Sequence, residues 1–141
     1  MLKAIKIRLY LNDDQINYTN KLFGTSRFIY NKCLSYKINE YKSQMEVLKI
    51  QYEEILKLDP NNSIANYRIG QIYYYKADYT TALTYLQKVY DAYPFDYDNT
   101  LMFAWTKLKL KKNAEAKELF NIVLLNRPKD ASALEGLKTI K

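Results

Sequence analysis

Three prolines, at positions 60, 94 and 128, divide the C-terminal part of the chain at one constant interval. Proline ends a helix, because it lacks an N–H group and excludes the α conformation from the residue before it. A sequence that repeats at a fixed interval of about 20 to 50 residues folds as a stack of equal units. The prolines therefore predict equal structural units, each of which ends at a proline.

Small and large apolar residues recur in the same register. Small residues stand at the same two distances before the second and third prolines, with Gly70 and Ala104 at the longer distance and Ala82 and Ala116 at the shorter one. Two antiparallel helices approach closely where both carry small side chains, so this register predicts two helices per unit. The larger apolar residues that fill the space between units are Leu86, Val89, Phe120 and Val123.

Polar residues follow each proline and are suited to begin the next helix, because their side chains accept hydrogen bonds from the free N–H groups of a first turn. Units are therefore predicted over residues 63–96 and 97–130, with a further helix opening in 131–141. The predicted N-terminal caps are Asn61, Asn62 and Ser63 together, then Asp96, then Asp130.

These residues resemble the tetratricopeptide repeat family, most closely over ILKLDPNNSIANYRIGQIYYYKADYTTALTYLQKVYDAYP. The resemblance implies an all-α fold over residues 43–141. That fold is a solenoid of antiparallel helix pairs with two full repeats, flanking half-repeats and a C-terminal capping helix. The second repeat departs from the family pattern at Ala104, where glycine is usual, and at Lys107, where tyrosine is usual.

The resemblance also implies a site, because the first helix of each repeat lines a concave groove in this family. An aromatic face with few charges suits a peptide or protein ligand, which makes the chain an interaction scaffold. Two alternatives stay open: some of the tyrosines pack between helices, or Trp105 lies under the C-terminal cap. A clamp for a terminal carboxylate is not expected, since Asp98 and Met102 break its pattern and Arg68 matches only in part. The expected groove residues are Tyr67, Gln71, Tyr74, Tyr75, Leu101, Trp105, Leu108 and Lys109.

Residues 43–59 read as the second helix of a preceding repeat. Ser43 and Glu46 have the spacing of a capping box, which predicts a helix start. The first helix of that repeat would be 27–42, but the repeat pattern fails there, where Tyr36 takes the place of Gly70. The residues predicted to face inward from this second helix are Leu48, Tyr52 and Ile55.

Before that point, residues 4–11 alternate between apolar and polar side chains, which predicts a short β-strand of uncertain order. No second strand follows, so this strand pairs between two chains as a homodimer, pairs with a partner's sheet, or stays disordered. Asn12 and Asp13 predict the start of a short helix over about 14–23 that ends at Gly24.

Residues 1–42 resemble the N-terminal helix-turn-helix segment of OrfB-type (TnpB-like) transposases, through LKAIKIRLYLNDDQ, KLFGTSRFIYNKCL and EYK. That family contains RNA-guided DNA nucleases, but its downstream carboxylates and four-cysteine zinc ribbon do not follow here. The resemblance implies at most binding of RNA or DNA through phosphate contacts. The alternative is a gene-fusion relic that packs against the repeats. The candidate contacts are Lys3, Lys6, Arg8, Lys21, Arg27 and Lys32.

The charge is uneven: residues 1–45 carry a net +5, and residues 46–141 carry +2. This favours a polyanion partner for the N-terminal third, although a surplus of surface lysine explains it equally well.

Two residue types on which much catalysis and metal binding depends are absent or present only once. Histidine is absent, and Cys33 is the only cysteine, expected as a small core residue. The chain is therefore expected to have no catalytic residues, no cofactor and no metal site. It lacks an apolar run of about 18 residues and a secretory signal, so no membrane association and a cytoplasmic location are expected.

Overall fold

A computed structural model describes residues 12–140, and within this range it contains helices and no strand. The all-α fold expected from the repeat is confirmed, while the strand expected over 4–11 lies outside the described residues. The helices are α1 (Asp13–Leu58), α2 (Ser63–Tyr75), α3 (Tyr79–Ala92), α4 (Tyr97–Lys109), α5 (Asn113–Asn126) and α6 (Ala131–Thr139).

Two helix pairs, α2 with α3 and α4 with α5, form the two full repeats that the register predicts. They begin at Ser63 and Tyr97, which are separated by the same interval as the prolines. The second pair packs on the first through α3 and α4, and α6 packs on α5 and α4. One apolar core therefore runs through both repeats to α6.

The helices of a pair approach closely where the sequence has small residues. A Cβ atom added to Gly70 would lie 2.8 Å from the Leu86 side chain and 3.5 Å from the Ala82 carbonyl oxygen. Leu86 and its equivalent Phe120 are fully buried. Four residues were predicted to fill the space between units, and all four are buried: Leu86, Val89, Phe120 and Val123.

Each repeat begins with the side-chain cap that the sequence predicts. Asn62 Oδ1 accepts a hydrogen bond from the amide of the residue three positions on, and so do the carboxylates of Asp96 and Asp130. These three caps recur at the interval of the prolines and satisfy N–H groups that the first turn leaves free.

A second set of hydrogen bonds recurs with the repeat. Asn66 Nδ2 donates to the Pro60 carbonyl at 3.0 Å, and Thr100 Oγ1 donates to the Pro94 carbonyl at 3.3 Å. Both donors are buried side chains of a first helix. Each bond ties that helix to the proline turn before it.

The turns inside the two repeats share an unusual backbone. Ala77 and Lys111 have φ angles of 61° and 62°, in the left-handed region. In the first repeat, Asp78 then caps α3 by accepting from the Thr81 amide at 3.1 Å. Lys112 occupies the same position before α5 and provides no side-chain cap.

The N-terminal helix differs from the expectation. α1 starts as predicted, because Asn12 and Gln15 exchange hydrogen bonds between side chain and backbone. It then continues to Leu58, so the breaks predicted at Gly24 and Ser43 are wrong. Glycine in a helix costs only about 1 kcal/mol and does not remove a hydrogen bond as proline does. Glu46, expected to cap at Ser43, forms ion pairs instead.

The chain divides into two compact units, residues 1–43 and 44–141. α1 has no buried residue, and Cys33 is exposed, so its expected place in a core is wrong. In the second unit Tyr52 is half-buried as predicted. Leu48 and Ile55 are each 40% exposed, against the prediction, because the residues expected to fold back over them continue α1 instead.

Among the described residues, no helix has the length and hydropathy needed to cross a membrane.

Candidate peptide-binding groove

The first helices of successive repeats, α2, α4 and α6, together line a pocket of about 420 Å³. Five of the eight groove residues expected from the sequence lie in its wall, and most of them are aromatic or aliphatic. These five are Tyr67, Tyr74, Leu101, Trp105 and Lys109. Met102, Asp98, Ser132 and Glu135 complete the lining.

The other three expected groove residues are not part of this lining. Gln71 lines a smaller pocket of about 220 Å³ between α1 and α2, and its amide donates to the Tyr67 hydroxyl at 3.3 Å. Tyr75 is 60% exposed, and its ring meets the Tyr74 ring edge-on at 5.8 Å. Leu108 is half-buried against the core.

Trp105 has two structural roles. Its indole N–H donates to Ser132 Oγ on α6 at 2.9 Å, and its ring packs edge-to-face on Phe120 with centroids 5.3 Å apart. The same ring lines the pocket. Trp105 therefore contacts the C-terminal helix, which is one of the two alternatives that the sequence left open. Its ring is held in place by contacts with both α5 and α6.

The tyrosine hydroxyls of the pocket stay neutral. Burial raises the pKa of Tyr67, and the nearby Asp98 carboxylate raises it further. Burial also raises the pKa of Tyr74, whose ring packs edge-to-face on Tyr79 at 5.4 Å. A protonated phenol both donates and accepts hydrogen bonds, so this wall suits a ligand with apolar side chains and backbone amides.

Two carboxylates, Asp98 and Glu135, lie in the lining, together with one ammonium group, Lys109. Asp98 and Tyr67 also line an adjoining pocket of about 440 Å³ with Tyr93. Ser132 and Glu135 were missed by sequence reasoning, although the repeat register contains the signal. One repeat later in the sequence, Ser132 occupies the position of Asp98, and Glu135 occupies that of Leu101.

Within residues 12–140, no three histidine, cysteine, aspartate or glutamate side chains lie close enough together to hold a metal ion.

Three of the basic residues suggested for nucleic-acid contact are described, and all three are exposed on α1. Lys21 and Lys32 are separated by about three helical turns, so they share a face. Arg27 lies on another face of the helix, and the structure does not bring it together with them. The Lys32 ammonium lies 5.9 Å from the centre of the Phe28 ring. Lys3, Lys6 and Arg8 lie outside the described residues.

Comparison with known families identifies both parts of the chain. Tetratricopeptide-repeat family models match residues 51–97 and 76–139. A helix-turn-helix domain model of the OrfB type matches residues 1–46. Both resemblances predicted from the sequence are confirmed. No curated protein matches the chain by sequence.

Solved structures share the fold. The first tetratricopeptide-repeat domain of Spaghetti (RPAP3), bound to the HSP90 peptide SRMEEVD, superposes with a TM-score of 0.64 at 17% identity, over 70% of this chain and 78% of that one. The Arabidopsis OM64 domain gives 0.64 at 17%, over 70% and 82%. A MamA mutant gives 0.60 at 23%, over 64% and 53%. Residues 51–139 of this chain therefore belong to the tetratricopeptide repeat family, after an N-terminal segment similar to the OrfB-type helix-turn-helix domain.

Proposed function

We propose that this chain is a protein-interaction module whose groove binds a peptide segment by one bulky apolar side chain. The observation that carries the proposal is the pocket of about 420 Å³ lined by Tyr67, Tyr74, Leu101 and Trp105. Aromatic side chains in a preformed pocket supply most of the binding energy in many interfaces. Since Phe120 and Ser132 already fix the Trp105 ring, binding of a ligand does not cost the entropy of ordering this side chain.

The charges around the pocket indicate which peptides fit. Asp98 and Glu135 would repel a free carboxylate, and Lys109 is the one cation that residues 12–140 place in the lining. The Spaghetti domain, by contrast, holds the acidic peptide SRMEEVD. We infer that the ligand here is an internal segment, with its apolar anchor next to a basic residue that pairs with Asp98 or Glu135.

Selection from a library of displayed random peptides tests this function. The full chain should enrich peptides with a bulky apolar residue beside lysine or arginine, and their binding should change Trp105 fluorescence. The double variant Tyr74→Ala with Leu101→Ala should lose these peptides. The control is Leu125→Ala, which truncates a side chain that is 81% exposed. Equal binding by the double variant would show that the groove is not the site.

A second function, contact with RNA or DNA, is favoured by one observation: the match of residues 1–46 to a helix-turn-helix domain. Lys21 and Lys32 on one face of α1 would neutralise phosphates without reading bases. Binding of this kind weakens steeply as salt rises, because each phosphate contact releases a counterion.

Titration of generic RNA and DNA at low and moderate salt tests the second function, beside a chain that begins at Ser43. The double variant Lys21→Gln with Lys32→Gln should bind more weakly and with a smaller salt dependence. The control removes two exposed lysines elsewhere, Lys117→Gln with Lys138→Gln. If neither the full chain nor the shortened chain binds, the second function is wrong, and the N-terminal segment either packs or is a relic of gene fusion.

A further inference from the structure

The first repeat lacks its first helix. In the two complete repeats, three positions of the second helix are covered by the first helix and are at most 5% exposed. At two of the same positions in α1, Leu48 and Ile55, the side chains are each 40% exposed. The covered residues are Ala82, Leu86 and Val89 in one repeat and Ala116, Phe120 and Val123 in the next.

A pocket marks the place where the missing helix would lie. It measures about 220 Å³ and is lined by Leu48 and Tyr52 of α1 and by Arg68 and Gln71 of α2. In the complete repeats each first helix touches the next, α2 against α4 and α4 against α6. A helix packed on Leu48 would touch α2 in the same way and would continue the interface already formed between repeats.

The exposed face of α1 continues toward its N-terminus as a regular stripe. Leu34, Tyr41, Leu48 and Ile55 recur every seven residues, which is the spacing of a seam between paired helices. Leu34 and Tyr41 are 45% and 54% exposed. A second series with the same interval, offset by four residues, consists of Ile38, Met45 and Tyr52.

We propose that a second copy of this chain supplies the missing helix. Two α1 helices pair antiparallel about a two-fold axis near Ser43, so that residues 27–42 of each copy cover residues 44–58 of the other. The repeat register places residues 27–42 as the first helix of a hairpin, although Tyr36 stands there in the place of Gly70. α1, however, is continuous through Ser43. Such a hairpin cannot close within one chain, and exchange between two copies satisfies both halves, as in other domain-swapped dimers.

The stripe is complementary to itself in this arrangement. With the axis at residue 43, Leu34 faces the partner's Tyr52, Ile38 faces the partner's Leu48, and Tyr41 faces the partner's Met45. Each of these three layers joins one residue of the first series to one of the second, as antiparallel pairing requires. The interface uses the same patch on both copies, so it closes at two.

The charges beside the stripe favour the antiparallel orientation. A parallel pair would place Lys37 against the partner's Lys42 on both sides of the seam. The antiparallel pair places Lys37 against the partner's Gln51 and Ser35 against the partner's Lys49. The one repulsive contact in the antiparallel pair is between Lys42 and the partner's Lys42, near the two-fold axis. The antiparallel pair therefore contains fewer repulsive contacts than the parallel pair.

Sedimentation equilibrium of the full chain tests the dimer. The wild type should be a dimer, and the double variant Leu34→Glu with Tyr41→Glu should be a monomer with the same helix content per residue. The control is Tyr18→Glu with Tyr36→Glu, which makes the same charge change on the opposite face of α1, where these side chains are 66% and 65% exposed. A monomeric wild type, or a stripe variant that stays dimeric, overturns the proposal.

A spin label on the single, exposed Cys33 tests the orientation. In the antiparallel pair Cys33 lies opposite the partner's Glu53, so the two labels should be about 30 Å apart along the helices, at 1.5 Å per residue. A single short distance would indicate parallel pairing and overturn the proposal.

The exchange itself is tested by inserting a flexible glycine-serine loop after Ser43. The loop should let residues 27–42 fold back in the same chain and give a monomer. If the variant with the loop stays a dimer and the label distance is unchanged, the two α1 helices pair without exchanging residues 27–42. That outcome would overturn the exchange.

Discussion

At the scale of single residues, the contact between Tyr97 and Asp130 ties the second repeat to α6. The Tyr97 hydroxyl donates to the Asp130 carboxylate at 2.6 Å, and the Arg127 guanidinium lies 3.6 Å from the centre of the tyrosine ring. The hydrogen bond from Tyr97, followed by those from backbone amides, holds the pKa of Asp130 below its ordinary value. The same bond raises the pKa of Tyr97.

Replacement of Tyr97 by phenylalanine should lower the free energy of unfolding by about 1 kcal/mol, the usual contribution of one hydrogen bond. A carboxylate with a lowered folded pKa contributes stability above its unfolded pKa, near 3.9, and loses it as the pH falls through the folded value. The variant should therefore lose less stability in acid than the wild type does. Urea unfolding at pH 7 and pH 3 measures this, with Tyr93→Phe as the control. Identical losses in acid would contradict the role of Tyr97.

Gly136 should not tolerate a side chain. A Cβ atom there would lie 2.3 to 2.6 Å from three atoms of the Phe120 ring, which is fully buried. Gly136→Ala should therefore displace α6 and destabilise the fold by about 1 to 3 kcal/mol. Because Ser132 would move with α6, Trp105 fluorescence should also change in the native state. An unchanged emission spectrum and melting temperature would show that α6 is not packed as described.

At the scale of helices, α1 is continuous through Gly24. Alanine at this position should therefore stabilise the helix, whereas alanine at Gly136 should destabilise the fold. Apart from its chain neighbours and the backbone of its own helix, a Cβ at Gly24 meets no atom of the described residues within 4 Å. Gly24→Ala should therefore increase helix content and stabilise the helix by about 1 kcal/mol. Circular dichroism measures this directly. Had the chain turned at Gly24 with a positive φ, alanine would have reduced the helix content instead.

Lys111, in the turn between α4 and α5, has a left-handed backbone conformation. Replacing it can therefore increase the stability of the fold. A residue other than glycine in this region costs about 1 kcal/mol or more. Lys111→Gly should therefore raise the free energy of unfolding by up to about 1 kcal/mol, after the added freedom of the unfolded chain is subtracted. The control, Lys117→Gly inside α5, should lower it by about 1 kcal/mol. Chemical denaturation compares the two, and destabilisation by Lys111→Gly would contradict the strain.

The elements that repeat were predictable from the sequence, and the single helix before them was not. Prolines and caps at fixed intervals determine where α2, α4 and α6 begin, because each acts on its own turn of backbone. The continuation of α1 past Gly24 and Ser43 depends on the absence of any stronger stop. The local signals there, a glycine and a capping-box spacing, are also compatible with an uninterrupted helix.

The groove was predictable only in part, for a related reason. The family register indicates which residues of a first helix point inward, and five of the eight expected residues line the main pocket. The register extends to α6 as well, where Ser132 and Glu135 take the positions of Asp98 and Leu101, but residues 131–141 were expected only as a cap. Both residues line the pocket because α6 packs on α4, where Trp105 donates a hydrogen bond to Ser132.

At the scale of the whole molecule, residues 44–141 should fold without residues 1–43, because every buried residue within 12–140 lies in the second unit. A chain that begins at Gln44 should keep its cooperative thermal transition and its native Trp105 emission. Its melting temperature should not depend on protein concentration, whereas that of the full chain should rise with concentration if two copies associate. Loss of the transition in the shortened chain would show that the first unit is required for folding.

The bonds from Asn66 and Thr100 to the carbonyls of Pro60 and Pro94 also bear on how such a chain can lengthen over evolutionary time. Each bond closes within a single repeat length, so a repeat carries the information for its own start and needs none from a distant one. Duplication of one whole repeat length of the gene in frame would add a working layer to the stack. Duplication of a length that is not a whole number of repeats would put the caps and small residues after the junction out of register with the layer before it.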